Sequence, residues 1–174
     1  MENWVGEEEV LALFAHHYQS GEVFPEELLQ KIKKSKNFRS GTNCLRQLTF
    51  GYLDMAWFGQ HNDVDNVEEF ERRAVKKTML REQDTPGASI STMFAHIFAG
   101  GYSAGYYSYK WAEVLDADAF EKFQEDGIFN KDTAKSFRDN ILSQGNISHP
   151  LELYKHFRGR EPKVEALLKR EGLL

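Results

Sequence analysis

Apolar residues recur at helical spacing from one end of this chain to the other, and no segment alternates apolar and polar residues between hairpin turns. That property excludes sheet architectures and predicts an all-α fold, an irregular multi-helix array. Val10, Leu13, Phe14 and His17 stand at i, i+3, i+4 and i+7, which predicts an amphipathic helix over 7–18 stopped by Gly21. Pro25, with Glu26 and Glu27 behind it at the positive end of a helix dipole, starts a helix to about Lys36. Leu45, Leu48, Tyr52, Met55 and Ala56 keep the spacing over 38–58 and mark a central helix. Asp65 to Glu68 has the form of a capping box and opens a charged helix to about Gln83, before Thr85-Pro86-Gly87 breaks the chain. Helices are also expected over 103–124, ending before Asp126-Gly127, over 131–142, over 150–157 from Pro150, and over 162–170 from Pro162 to the stop at Gly172.

With 174 residues and no repeat, low-complexity tract or linker, residues 1–174 are read as one helical domain. A net charge of −5 speaks against nucleic acid as a partner, because the one tight basic run, Lys31 to Lys36, suits the C-terminal end of a helix. Charged residues interrupt every apolar run short of the roughly 18 residues a membrane span needs, so no membrane partner is expected. The acidic stretch from Met1 to Glu9 lacks the features of a secretion signal, and the expected location is cytoplasmic. Cys44 is the sole cysteine and falls in an apolar pattern with Leu45, Leu48 and Tyr52, so it is read as a buried free thiol in a reducing compartment.

The most informative stretch runs from Phe94 to Trp111 and holds four tyrosines, Tyr102, Tyr106, Tyr107 and Tyr109, within eight residues. A helix begun near Ser103 would align Tyr102, Tyr106 and Tyr109 on one face, with Tyr107 and Trp111 on another beside Val114 and Leu115 as core. Phenols are donors on stiff arms, suited to a substrate carbonyl or a developing oxyanion. Ala99-Gly100-Gly101 lets the backbone bend or pass close to a ligand, with His96 at the far end of the bend. The same spacing is also compatible with ordinary amphipathic packing, and residue pattern alone leaves both readings open.

The segment resembles the signature of the thimet oligopeptidase, oligopeptidase A and peptidyl-dipeptidase family, a His-x-x-x-Gly-Gly-Tyr element followed by Ala-x-Tyr-Tyr-x-Tyr-x-Trp. Here it reads from His96 to Trp111. Further likeness lies in Glu2-Asn3-Trp4, in Leu45-Arg46-Gln47-Leu48, in Phe157 to Pro162 and in Leu167-Leu168. The resemblance implies a helical fold and the hydrolysis of short peptides by a zinc-activated water. It implies that Tyr102 and Tyr109 are catalytic, stabilising the oxyanion, and that His96, Gly100, Gly101 and Tyr106 bind substrate.

Such an enzyme needs a His-Glu-x-x-His segment, and this sequence contains none. His16 and His17 are adjacent, and His61, His96, His149 and His156 lack the required glutamate. The expectation is therefore the C-terminal, substrate-binding part of a zinc peptidase. Zinc would belong to the complete enzyme, with no metal held by this chain and little activity without the missing N-terminal, metal-binding part. The expected partners are a short peptide, that missing part, and further copies of the chain through an exposed apolar face. The rival expectation is a metal-free helical module that binds peptides or proteins. Arg158 and Arg160, with Lys155 and His156, suit either a peptide carboxylate or structural ion pairs. Glu113 is expected to pair with Lys110.

Overall fold

In the computed structural model, which describes residues 2–59, 63–81 and 85–174, all regular structure is helical. Among the described residues the helices are α1 (Glu8–Leu11), α2 (Glu26–Lys36), α3 (Ser40–Phe58), α4 (Val67–Val75), α5 (Ala95–Phe98), α6 (Ser108–Asp126), α7 (Lys131–Phe137), α8 (Pro150–Arg158) and α9 (Glu165–Arg170). Short 3-10 turns at Glu2–Gly6 and Ser91–Met93 and a π-turn at Arg138–Leu142 complete the order. The all-α expectation holds, and one isolated bridge between His16 and Val23 is the only strand-like pairing among these residues.

Two compact units divide the chain, one of Met1–Ser40 with Val114–Leu174 and one of Gly41–Glu113. The first is built around α6 from Val114 onward. Ala119, Phe120 and Phe123 pack with Ile128, Tyr154 and Phe157, while Val114 and Ala117 meet Ala166 and Leu167 of α9. A helix apolar on so many sides has to be enclosed. The Glu2-Asn3-Trp4 segment closes one side of it. Trp4 packs edge-on against Phe120 and Phe123 at 4.6 and 5.0 Å, and Asn3 donates to both oxygens of Asp116 at 2.9 Å.

Asp118 has no exposed surface, and Arg160 reaches its two oxygens at 2.6 and 3.1 Å. Arg158 turns to Glu125 at 2.7 and 2.8 Å and to Glu121 at 3.1 Å. The arginines flanking Gly159 are thus occupied by structural ion pairs, the second of the two roles open from sequence.

In the second unit α3 buries Leu53 and Asp54 completely, and Leu53, Val75, Phe94, Ile97 and Tyr106 form the core. Glu71 on α4 holds the irregular chain beyond it. Its buried carboxylate accepts the backbone N–H groups of Ile90 and Ser91 and the hydroxyls of Ser89 and Ser91, each at 2.8 Å. Burial pushes this carboxyl up, but those four hydrogen bonds outweigh burial and hold it below its ordinary value near 4.5. A depressed folded value means stability that is present above that ordinary value and lost as pH falls through the folded one. Glu71→Gln sets an amide N–H₂ against donors and is expected to cost about 1–3 kcal/mol at pH 7. Urea unfolding of parent and variant should show that gap narrowing as pH drops below the ordinary value.

Several expectations are corrected by packing. The helix foreseen over 7–18 stops at Leu11, and Leu13 and Phe14 are exposed, because the chain turns to pair His16 with Val23. Pro25 is the N-cap of α2 rather than its first residue. On α3 the buried face is Thr49, Leu53 and Asp54, whereas Leu48, Tyr52 and Met55 lie outside. Cys44 is half-buried rather than enclosed. The cap of α4 is Asn66, whose side chain accepts Glu69 N–H, one residue later than foreseen. That helix ends at Val75, and the Gln83 boundary foreseen for it lies outside the described residues, as does His61. Pro162 precedes α9 by three residues instead of starting it.

Candidate functional site

The tyrosine site starts from a turn that no helix could supply. α5 ends at Phe98, and Gly100 N–H donates to Ala95 O at 2.8 Å, folding the chain back on itself. A Cβ at Gly100 would stand 2.7 Å from His96 O and 2.9 Å from His96 Cα, both backbone atoms, so only glycine fits there. Gly101 takes φ +79°, and Ala104 takes φ +52°, a left-handed value that breaks any helix begun at Ser103. α6 therefore starts at Ser108, and only Tyr109 of the three aligned tyrosines is helical. The expected alignment on one helix face is replaced by a turn that reaches the same grouping.

The rings of Tyr102 and Tyr109 stack 5.3 Å apart at an interplanar angle of 25°. Tyr106 tilts against Tyr109 at 5.1 Å, and the imidazole of His96 lies 6.0 Å from the Tyr102 ring and 6.2 Å from that of Tyr106. The turn thus gathers His96, Tyr102, Tyr106 and Tyr109 and the glycines that shape it. Tyr102 and Tyr109 remain 36% and 41% exposed, whereas Tyr106 is buried, its hydroxyl donating to Gln47 Oε1 at 3.4 Å. Two of the three rings are thus part-exposed, and the third lies buried beside Tyr109.

Tyr109 is pushed above the ordinary phenol value, first by the hydrogen-bonding hydroxyl of Tyr102 and then by partial desolvation. Burial also raises Tyr106, against the nearby charge of Arg46. Both phenols are protonated, and hence donors, at neutral pH, and the raised values carry that state further into the alkaline range. Lys110 pairs with Glu113, as expected.

Tyr107 and Trp111, foreseen as core, are instead 58% and 50% exposed. Gln47, Phe50 and Asp54 all contact Tyr106, a placement the sequence reading does not foresee. They stand at i, i+3 and i+7 on α3, so a polar pair bracketing an aromatic on one helix face was the available signal. Phe50 packs against Phe94 and Tyr106 at 5.0 and 5.6 Å.

A cleft of about 530 Å³ lies along α4 in the same unit, lined among others by Arg72, Arg73, Lys76 and Arg81. It contains none of the tyrosine-site residues, and its cations are exposed, Arg72 and Arg73 on α4 and Lys76 and Arg81 beyond its end. Among the described residues no three His, Cys, Asp or Glu side chains come together as a metal site, so the donor set here does not fit a zinc ion. No helix among them is long and apolar enough to cross a membrane.

The family model described as Peptidase family M3 matches residues 1–173. Oligopeptidase A of Escherichia coli is 45% identical over 174 residues, covering 99% of this chain and 26% of that protein. Oligopeptidase A of Haemophilus influenzae is 47% identical over 178 residues, covering 100% of this chain and 26% of that protein. Dipeptidyl carboxypeptidase of Escherichia coli is 37% identical over 174 residues, covering 99% of this chain and 26% of that protein. The chain spans about a quarter of the length of these curated relatives.

Proposed function

The chain belongs to peptidase family M3, and from that footing we propose that it is the C-terminal, substrate-binding part of a zinc-dependent oligopeptidase or peptidyl-dipeptidase acting on short peptides. The observation that carries this reading is the pair of open phenols, Tyr102 stacked on Tyr109, behind a glycine-built bend. Hydroxyls on rigid, packed rings meet an incoming carbonyl oxygen with little reorganisation. In this reading Tyr109 and Tyr102 donate to the carbonyl of the bond to be cut, and Tyr106, braced by Gln47, keeps Tyr109 in place. His96 binds the peptide from across the bend.

Zinc belongs to a part of the enzyme other than this segment. The chain's own residues bind and orient the peptide and stabilise charge on its oxygen, which alone generates no nucleophile, so the segment by itself is expected to be inactive. The exposed Leu48, Tyr52 and Met55 of α3 are consistent with a surface that packs against the remainder of the enzyme or against another copy. A cytoplasmic location fits a relative named probable cytosolic oligopeptidase A from Arabidopsis thaliana.

Calorimetric titration with short peptides tests the binding step. Saturable binding that weakens about tenfold in Tyr102→Phe combined with Tyr109→Phe is the expected result. Unchanged affinity in the double variant would remove the tyrosines from the site.

A further inference from the structure

Asp54 lies wholly inside the second unit, with no exposed surface. One carboxylate oxygen accepts Ala104 N–H at 2.8 Å and the other accepts Tyr106 N–H at 2.9 Å. A buried carboxylate is costly to desolvate, and this one spends both its oxygens on the backbone of a single turn. That turn needs an anchor, because Ala104 sits at φ +52° where glycine would be the easy choice. It is also the turn that sets the two open phenols. Gly105 N–H returns to Tyr102 O at 2.8 Å, and Tyr109 N–H reaches Tyr106 O at 3.2 Å, so the backbone on both sides of the Asp54 clamp leads directly to the stacked rings.

Building on the function proposed above, we infer that Asp54 is a positioning residue for the tyrosine site, its carboxylate holding the left-handed turn at 104–106 so that Tyr102 stacks on Tyr109. It touches no ligand and acts through the rings alone. A residue kept only for bulk stability would leave the ring geometry unchanged when replaced by an isostere of similar cost elsewhere on the helix.

The test uses the whole chain with isotopically labelled tyrosine. In the parent, NMR should show mutual ring-current shifts on Tyr102 and Tyr109. Asp54→Asn keeps the shape but sets an amide N–H₂ against one of the two backbone donors. It is expected to erase those shifts and weaken peptide binding roughly tenfold, a loss equal to about one charge-assisted hydrogen bond. Thr49→Val is the matched control. Thr49 lies on the same helix, buried, and donates to Leu45 O or Thr78 Oγ1 at 2.8 Å, so its loss should lower thermal stability while ring shifts and affinity persist.

Retention of the ring shifts and affinity in Asp54→Asn would overturn the inference. Should that variant not fold, hydrogen exchange on the unaltered chain decides. Slow exchange of the Ala104 and Tyr106 amides supports the clamp, and exchange at the rate of open amides overturns it. The two readings separate cleanly. If the double tyrosine variant binds peptide like the parent, the proposed function falls and carries this inference with it. If the double variant loses affinity while Asp54→Asn does not, the positioning role alone falls.

Discussion

Tyr109→Phe is expected to lower turnover roughly a hundredfold in an enzyme containing this segment, with a much smaller change in KM. The substitution removes one oxygen and keeps the ring, so the stack with Tyr102 at 5.3 Å and the tilted contact with Tyr106 at 5.1 Å both survive. The unfolding transition should therefore move little. On the proposed role, what disappears is a donor to the substrate carbonyl whose hydrogen bond strengthens as charge develops in the transition state, so the larger part of the loss appears in kcat and the smaller part in ground-state binding. The hydroxyl is raised above the ordinary phenol value, chiefly by its hydrogen bond with Tyr102, so it stays a donor as pH climbs. An alkaline loss of activity traced to Tyr109 should accordingly lie above pH 10, the ordinary phenol value. Steady-state kinetics of parent and variant across pH check both points.

Asp118→Ala carries the largest expected cost in stability, about 3–5 kcal/mol. The carboxylate has no exposed surface and serves Arg160 twice and the hydroxyl of Tyr154, which donates to it at 2.5 Å. Arg158 Nε stands 3.7 Å away, buried and without a hydrogen bond of its own, so the charge of Asp118 is its nearest compensation on that side. Removing the carboxylate leaves two cations and a phenol facing a void. In the parent, burial first, and then the hydrogen bond to Asp118, push the Tyr154 phenol far up, so it serves this network as a neutral donor. For a chain of this length such a change lowers Tm by roughly 10 °C or more. Asp118→Asn, which keeps an acceptor for Tyr154, should cost less than Asp118→Ala. Thermal unfolding of the three proteins ranks them, and a Tm for Asp118→Ala within 2 °C of the parent would refute the role given to this network.

Helices bounded by strong local signals were legible in the sequence. Pro150 opens α8 as foreseen, Gly127 at φ +106° follows the end of α6, and the cations from Lys31 to Lys36 sit on the last turns of α2. Where local signals competed with tertiary packing, the reading failed. Leu13 and Phe14 have helical spacing but the chain beyond Leu11 bends into a bridge, and Tyr107 and Trp111 have core spacing but face outward. The family was legible because the His96–Trp111 signature is dense and long, and the family match over residues 1–173 bears it out. The grouping of His96, Tyr102, Tyr106 and Tyr109 was legible too, though for the wrong reason. Helical spacing implies a uniform helix, whereas the rings meet through a left-handed alanine whose N–H is held by Asp54, fifty residues earlier in sequence. Spacing rules operate over a few turns of helix and cannot register a carboxylate at that distance.

In the proposed function the role of this segment is to supply the peptide-holding part of a two-part catalytic site. It is tested most directly by joining the chain to a segment bearing His-Glu-x-x-His, in cis or as a second polypeptide, and following cleavage of a quenched fluorescent peptide together with zinc content. Cleavage that neither piece gives alone, and that falls about a hundredfold with Tyr109→Phe, is the predicted result. No gain over the separate pieces in a zinc-loaded assembly, or a gain indifferent to Tyr109→Phe, would contradict it.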